Sequence, residues 1–242
     1  MNKFLYYLSL KGMGVLNYKD DFISGEEKFI ANYFLGLDSP VVFDVGANVG
    51  NYSKKLLTSQ KDITVYAFEP HPKTYVNLTA NIEASNFKSF NVGVGKEKGE
   101  FELFDYLDQD GSSHASLYKE VIEDIHKRES VKHLVSIISL DEFVLEHNVG
   151  VIDLLKIDTE GNELNVLKGF SKHIENKNVK AIHFEFNEMN IASKTSFKDF
   201  WDLLPNYTFY RLLPGGRMLE LKSYAPILCE IYAYQNIIAI LK

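Results

Sequence analysis

Five acidic residues fall at the ends of apolar runs in this chain: Asp44, Glu69, Asp158, Glu160 and Glu185. In open α/β sheets, ligands sit in the crevice outside the carboxyl ends of the strands, so acids there face a binding site. Such groups can pair with a ligand cation, accept hydrogen bonds from sugar hydroxyls, or take a proton from a nucleophile. The first of them, Asp44, follows the run Val41-Val42-Phe43 and precedes the loop Gly46-Ala47-Asn48-Val49-Gly50. Gly46 and Gly50 let the backbone approach a ligand, because they carry no Cβ and accept unusual dihedrals.

The loop does not have the spacing of a dinucleotide fingerprint, which reads G-x-G-x-x-G. An acid two residues before the first glycine is awkward beside a pyrophosphate and suits the ammonium of a methionine moiety. Glu69 ends a second apolar run, about as far downstream as ribose-binding acids fall in nucleotide folds. Its carboxylate can accept from both ribose hydroxyls, and Pro70 stops the strand. Asp44, Gly46, Ala47, Asn48, Gly50, Glu69 and Pro70 thus read as a site for S-adenosylmethionine. Asn91 and Val92, near the end of a third run, are expected beside the adenine.

The elements that must hold these residues follow from periodicity. Val49, Tyr52, Leu56 and Leu57 recur at helical spacing behind the glycine loop, giving strand, turn and helix. Ser24-Gly25-Glu26-Glu27 has a capping-box pattern opening a helix with Phe29, Ile30, Tyr33 and Phe34 on one stripe. Further strands are expected at 87–94, 100–106, 133–140, 152–157, 180–186, 207–213 and 230–240, with Pro214-Gly215-Gly216 turning between elements. Alternation along the 180–186 strand puts His183 and Glu185 on one face. A charged helix is expected through Ile122 and Ile125. The small-residue loop Gly111–Leu117 has the character of a lid over a crevice.

The runs FDVGANVGNYS, YAFEPHP, LDEF, LLKIDTEGNELNVLKGF and HFEF occur in this order between residues 40 and 240. Together they resemble the FkbM family of S-adenosylmethionine-dependent methyltransferases. The resemblance implies an α/β, Rossmann-like class I methyltransferase fold. Its sheet would be mixed and seven-stranded in the order 3-2-1-4-5-7-6, with helices on both faces. It also implies O-methylation of a hydroxyl on a sugar, a glycolipid or polysaccharide precursor, or a polyketide-like metabolite. An N-methyltransferase and a non-catalytic cofactor-binding protein are the alternatives. An alcohol needs a base as it attacks, and Asp158, Glu160, Glu185 and His114 are the candidates. Each has a bland reading: Asp158 and Glu160 could hold their turn, Glu185 could pair with Lys156, and His114 could be a surface residue. His183 reads as a core histidine, and Arg217 could meet an acidic substrate.

The length suits one domain, residues 40–242, preceded by an N-terminal helical segment, 1–39, packed on it or on a partner subunit, which leaves a homodimer open, with an interfacial membrane anchor as the alternative for its apolar start. A net charge of −7 argues against a nucleic-acid partner. The single cysteine, Cys229, excludes a disulfide framework and a cysteine-rich zinc site. No metal-ligand spacing stands out, and no metal is expected. The apolar N-terminus is interrupted by Lys11 and Gly12, too soon for a transmembrane span. A cytoplasmic enzyme acting on a small-molecule or glycan acceptor is the resulting expectation.

Overall fold

The computed structural model describes residues 1–242, leaving out the side chain of Asp21. The strands are β1 (Val41–Val45), β2 (Thr64–Phe68), β3 (Phe87–Phe90), β4 (Gly93–Val94), β5 (Gly99–Tyr106) and β6 (Ser130–Ile138). They continue with β7 (Ile152–Ile157), β8 (Val179–Phe186), β9 (Tyr207–Leu213), β10 (Arg217–Leu221) and β11 (Gln235–Leu241). The helices begin with α1 (Asn2–Gly12), α2 (Asp21–Ser24), α3 (Glu26–Tyr33), α4 (Asn51–Ser59), α5 (Pro72–Asn81) and α6 (Leu140–His147). The rest are α7 (Glu163–Lys168), α8 (Ser171–Glu175), α9 (Met189–Ala192), α10 (Phe197–Leu203) and α11 (Pro226–Cys229).

The main sheet runs β3-β2-β1-β7-β8-β11-β9-β10. With the edge strand β10 left aside and the other seven numbered in chain order, this is 3-2-1-4-5-7-6. The strands from β3 to β8 are mutually parallel, and β11 enters antiparallel to β8 and β9. Strand β10 was missed in the sequence because Met218 and Leu219 are both exposed, so its side chains do not alternate. The Pro214–Gly216 turn folds it back on β9 as a hairpin. A small second sheet, β4-β6-β5, stands beside the first.

Three other sequence expectations change. The single strand expected over 87–94 is split: β3 stays in the main sheet, while β4 leaves it to pair with β6. The charged helix around Ile122 is one wide turn, Val121–Ile125, closed by the His126 N–H donating to the Val121 carbonyl. The box at Ser24 does not form as a cap: α3 starts at Glu26 behind Gly25 (φ 84°), and the Ser24 hydroxyl reaches the Glu26 N–H at 3.4 Å.

Alternation along β1 divides the core. Phe43 and Val45 face α6 and α7, joining Phe68, Phe143, Phe170 and Phe184. Val42 faces the other way, with Leu154 and Ala181, against Phe29, Ile30 and Phe34 of the α3 stripe and Leu56 of α4. The N-terminal segment is therefore divided. Its helix α3 is part of the domain core, whereas residues 2–9 of α1 are exposed.

The ring of Phe143 sits 4.9 Å from Phe68, 5.0 Å from Phe90 and 5.7 Å from Phe43, which seats α6 on the sheet beneath the crevice. Truncating a buried aromatic ring removes its transfer free energy and leaves a cavity, at about 3–5 kcal/mol. Phe143→Ala should therefore lower the urea midpoint of unfolding by a corresponding amount. A midpoint within error of the wild type would show that this cluster does not hold the layer.

Candidate active site

The carboxyl ends of β1 and β7 meet at Gly46. Its φ is 78°, and a Cβ built there would lie 1.7 Å from the Asp158 carbonyl oxygen. Only glycine permits that approach. The Gly46 and Ala47 N–H groups donate to the Phe68 carbonyl, at 2.9 and 3.0 Å, fixing the loop to the end of β2. There Glu69 takes over. Its Oε2 accepts the Asn48 N–H at 2.9 Å and its Oε1 the His71 N–H at 2.8 Å. Burial pushes the Glu69 carboxyl up to about 7, against the lowering effect of those two backbone donors.

Two clefts open over these strand ends. The upper one, about 120 Å³, is bounded by Gly46, Asn48, Glu69 and Pro70 on one side and by Gly93 and Val94 on another. The lower one, about 540 Å³, is lined by His114, Asp158, Glu160, Glu185, Glu188 and Tyr234, among others. Ser113, Asp158 and Glu160 belong to both walls. The loop 111–117 contributes to both clefts and is pinned from below. Asp105 accepts the Gly111 and Ser112 N–H groups at 2.7 and 2.8 Å, and the Asn48 side chain donates to the Ser112 carbonyl at 3.3 Å.

Of the residues expected around the cofactor, Gly46, Asn48, Glu69 and Pro70 line the upper cleft. Ala47 turns into a small core cluster with Leu78, and Gly50 caps the start of α4. Asn91 donates instead to the Glu69 and Pro70 carbonyls, and Val92 packs against the core. The wall expected from Asn91 and Val92 is supplied two residues later, where β4 leaves the main sheet.

Asp44 lines neither cleft. Alternation turns it onto the α4 face, where it is 1% exposed and accepts from the Ser53 hydroxyl at 2.6 Å. Burial raises its carboxyl to about 6, opposed by the Ser53 hydrogen bond and the Lys156 charge. Lys156 is its register partner on β7, and His183 is the partner of Lys156 on β8. These three form a polar row across the sheet under the lower cleft. His183 is held by Tyr52 Oη at 3.0 Å and Asn236 Oδ1 at 2.9 Å, and burial keeps it neutral, its pKa well below the usual range.

The four expected catalytic groups come together on the lower cleft. His114 Nδ1 lies 3.0 Å from Glu160 Oε1, and that contact raises the histidine above its usual range. Burial pushes Glu160 up to about 7, against the lowering effect of His114. Glu185 is also raised, by burial first and then by Asp158. Lys156 Nζ lies 3.6 Å from Asp158 and 3.9 Å from Glu26. Despite its burial these acids, with Glu185 and Asp44, hold it charged.

The turn after β7 is held by neither Asp158 nor Glu160. Buried Glu163 does this, its Oε1 accepting from the Thr159 and Gly161 N–H groups at 3.1 and 3.0 Å. Arg217 is exposed on the β10 hairpin and lines neither cleft. Glu188 and Tyr234 were not expected in the site. The acid just beyond the Phe184-Glu185-Phe186 run was a readable signal for Glu188. Nothing local marked Tyr234, which arrives from the last strand's approach.

Among the described residues, the group of histidines and acids close enough to share a cation is His71, Asp110 and His133. Asp110 Oδ1 lies 2.9 Å from His71 Nε2 and 2.7 Å from His133 Nε2. His71 Nδ1 accepts the Thr74 N–H at 3.4 Å, so its proton sits on Nε2, facing Asp110. The Lys73 ammonium pairs with the second Asp110 oxygen. A metal would have to displace both, and the donor set fits a clamp between the loop and β2 rather than a metal centre.

The electrostatics carry a stability prediction. The folded Glu160 carboxyl, at about 7, binds its proton more tightly than the unfolded chain does, near 4.5. Its stabilising contribution is complete below about pH 4.5 and is lost as pH rises through 7. Glu160→Gln should therefore gain stability relative to the wild type between pH 5 and pH 8 in urea unfolding. A pH-independent difference between the two would overturn this assignment.

The family model for the methyltransferase FkbM domain matches residues 44–210. "Methyltransferase 1" of Beauveria bassiana is 28% identical over 148 residues, covering 54% of this chain and 59% of that protein. The 31-O-demethyl-FK506 methyltransferase FkbM of Streptomyces tacrolimicus is 29% identical over 152 residues, 53% of this chain and 58% of that one. The hexuronic acid methyltransferase AglP of Haloferax volcanii is 28% identical over 144 residues, 58% and 54%. The chain thus spans a little over half the length of these curated relatives. The matched segment holds Asp44, Glu69, Asp158, Glu160 and Glu185, together with both strand-end turns that shape the clefts. The chain belongs to the FkbM methyltransferase family.

Proposed function

We propose that the chain transfers the methyl group of S-adenosylmethionine to a hydroxyl of a sugar-like or polyketide-like acceptor. The observation that carries this reading is the wall shared by the two clefts. The upper cleft offers Glu69 to ribose hydroxyls and the glycine loop to the rest of the cofactor. The lower cleft offers Glu160, Glu185 and His114 to the acceptor. Asp158 and Glu160, which line both clefts, would then stand between the bound cofactor, which supplies an activated methyl group, and the acceptor.

In this mechanism the acceptor oxygen attacks the methyl carbon, the carbon–sulfur bond breaks, and the acceptor proton passes to Glu160. S-Adenosylhomocysteine is left. A base is most effective when its pKa lies near the working pH, and the Glu160 carboxyl, at about 7, meets that condition. His114 orients it, and the pre-aligned donor and acceptor supply the remaining advantage. Among the described residues, the lower cleft is lined by four carboxylates, Asp158, Glu160, Glu185 and Glu188, and by no lysine or arginine. An uncharged or amine-bearing acceptor suits it better than an acid such as the one named for the Haloferax relative.

Two experiments test the reading. Calorimetric titration with S-adenosylhomocysteine should show one site per chain, tightening from pH 6 to pH 8 as Glu69 ionises and accepts the ribose hydroxyls. Glu69→Ala should weaken it by about 1.5–3 kcal/mol, the value of a hydrogen bond to a charged group. Unchanged affinity would move the ribose elsewhere. Glu160→Gln should lower turnover by about two to four powers of ten while sparing cofactor affinity, with wild-type kcat rising through pH 7. Full turnover in this variant on a methylated acceptor would eliminate Glu160 as the base.

A further inference from the structure

Helix α1 presents its apolar side to solvent. Leu10 is 6% exposed and is the residue that fastens the helix to the domain. At 100° per residue, the side opposite Leu10 carries Phe4, Leu5 and Leu8. They are 70%, 52% and 57% exposed, and Tyr6 and Tyr7, nearer the Leu10 side of the helix, are also exposed. An ordinary surface helix has the reverse arrangement, with its apolar stripe on the core.

The charge of this segment is also set apart. Residues 1–19 contain Lys3, Lys11 and Lys19 and no acidic residue, so a chain of net charge −7 carries −10 over its remaining length. Lys3 and Lys11 bracket the exposed apolar residues along the chain, Lys11 at the edge of their face and Lys3 at the helix's free N-terminal end. A helix combining outward Phe and Leu, adjacent tyrosines and flanking lysines matches a surface that is apolar below and anionic at its headgroups. Among the described residues, no helix is long and apolar enough to cross a membrane. Four residues after α1, Leu16 enters the wall of the lower cleft, followed by Tyr18.

We propose that α1 is an interfacial anchor that docks the protein on an anionic phospholipid surface, with Phe4, Leu5 and Leu8 inserted among the acyl chains and Lys3 and Lys11 at the headgroups. Docking through this segment brings the lower cleft to a lipid surface and suits it to acceptors carried there. The anchor stands on the geometry and charge of α1 and does not depend on the reaction assigned to the clefts.

The test is co-flotation of the full chain with vesicles of phosphatidylcholine, with and without phosphatidylglycerol. The protein should float with the anionic vesicles, and high salt should release much of it, since surface charges are then screened. Phe4→Ser with Leu8→Ser should abolish flotation, and Lys3→Gln with Lys11→Gln should lower partition about tenfold or more. Both variants should keep the wild-type unfolding midpoint and S-adenosylhomocysteine affinity, because these side chains are exposed and outside the clefts. Failure of the wild type to float, or equal flotation of the variants, overturns the proposal. A wild-type dimer that Phe4→Ser with Leu8→Ser converts to monomer, without lipid binding, would instead make a second copy the occupant of this face.

Discussion

The arrangement depends on one buried cation. Lys156 sits in the middle of the sheet with its ammonium 2% exposed as a residue and without a hydrogen-bond partner among the described residues. Removing a charge from water is costly unless opposite charges surround it. Here Asp158 and Glu26 lie within 4 Å, and Asp44 and Glu185 add their fields. The acids in turn need the cation, for without it burial would protonate them further. Asp44, Lys156 and His183 occupy one register row, while Asp158 and Glu185 stand one pleat nearer the cleft on the same face. The polar layer is thus a consequence of strand pairing, and it ties α3, through Glu26, to the floor of the lower cleft.

Above that layer, two strand ends are drawn together at Gly46 and Asp158 until only a backbone without a side chain fits between them. This contact makes the shared wall between the clefts thin. A ligand on one side and a ligand on the other are separated there by the backbone and carboxylates of one turn. Glu163 holds that turn from beneath, leaving Asp158 and Glu160 free to face the clefts. The loop 111–117 lines both, and Ser116 donates to the Glu160 carbonyl at 2.7 Å, which ties the loop directly to the Glu160 turn.

The small second sheet changes what the upper cleft is made of. By leaving the main sheet after β3, the chain sets Gly93 and Val94 against Ile137 and presents them to the cleft near Pro70. The His71–Asp110–His133 clamp then fastens the long excursion between β5 and β6 back onto the end of β2. Glu69, flanked by the glycine loop and this clamp, is fixed before any ligand arrives.

The succession of strands and helices was legible from the sequence because buried parallel strands alternate with helices and each leaves its own period; the order of the strands in the sheet came from the resemblance to the family. The acids Glu69, Asp158, Glu160 and Glu185 were legible because an acid at the end of an apolar run has few places to point. Asp44 had the same signature and a different outcome: the pleat of β1 turns it to the α4 face, and its partners Ser53 and Lys156 come from other elements. Asn91 and Val92 missed the cleft because the break between β3 and β4 depends on pairing with β6, some forty residues downstream. Tyr234 reaches the site only through the antiparallel return of β11, and the capping role at Ser24 was lost to the left-handed Gly25 that starts α3. Local pattern determines which elements form and which residues carry chemistry. Which face each residue joins, and what stands beside it, is set by register and long-range pairing, which no window of the sequence contains.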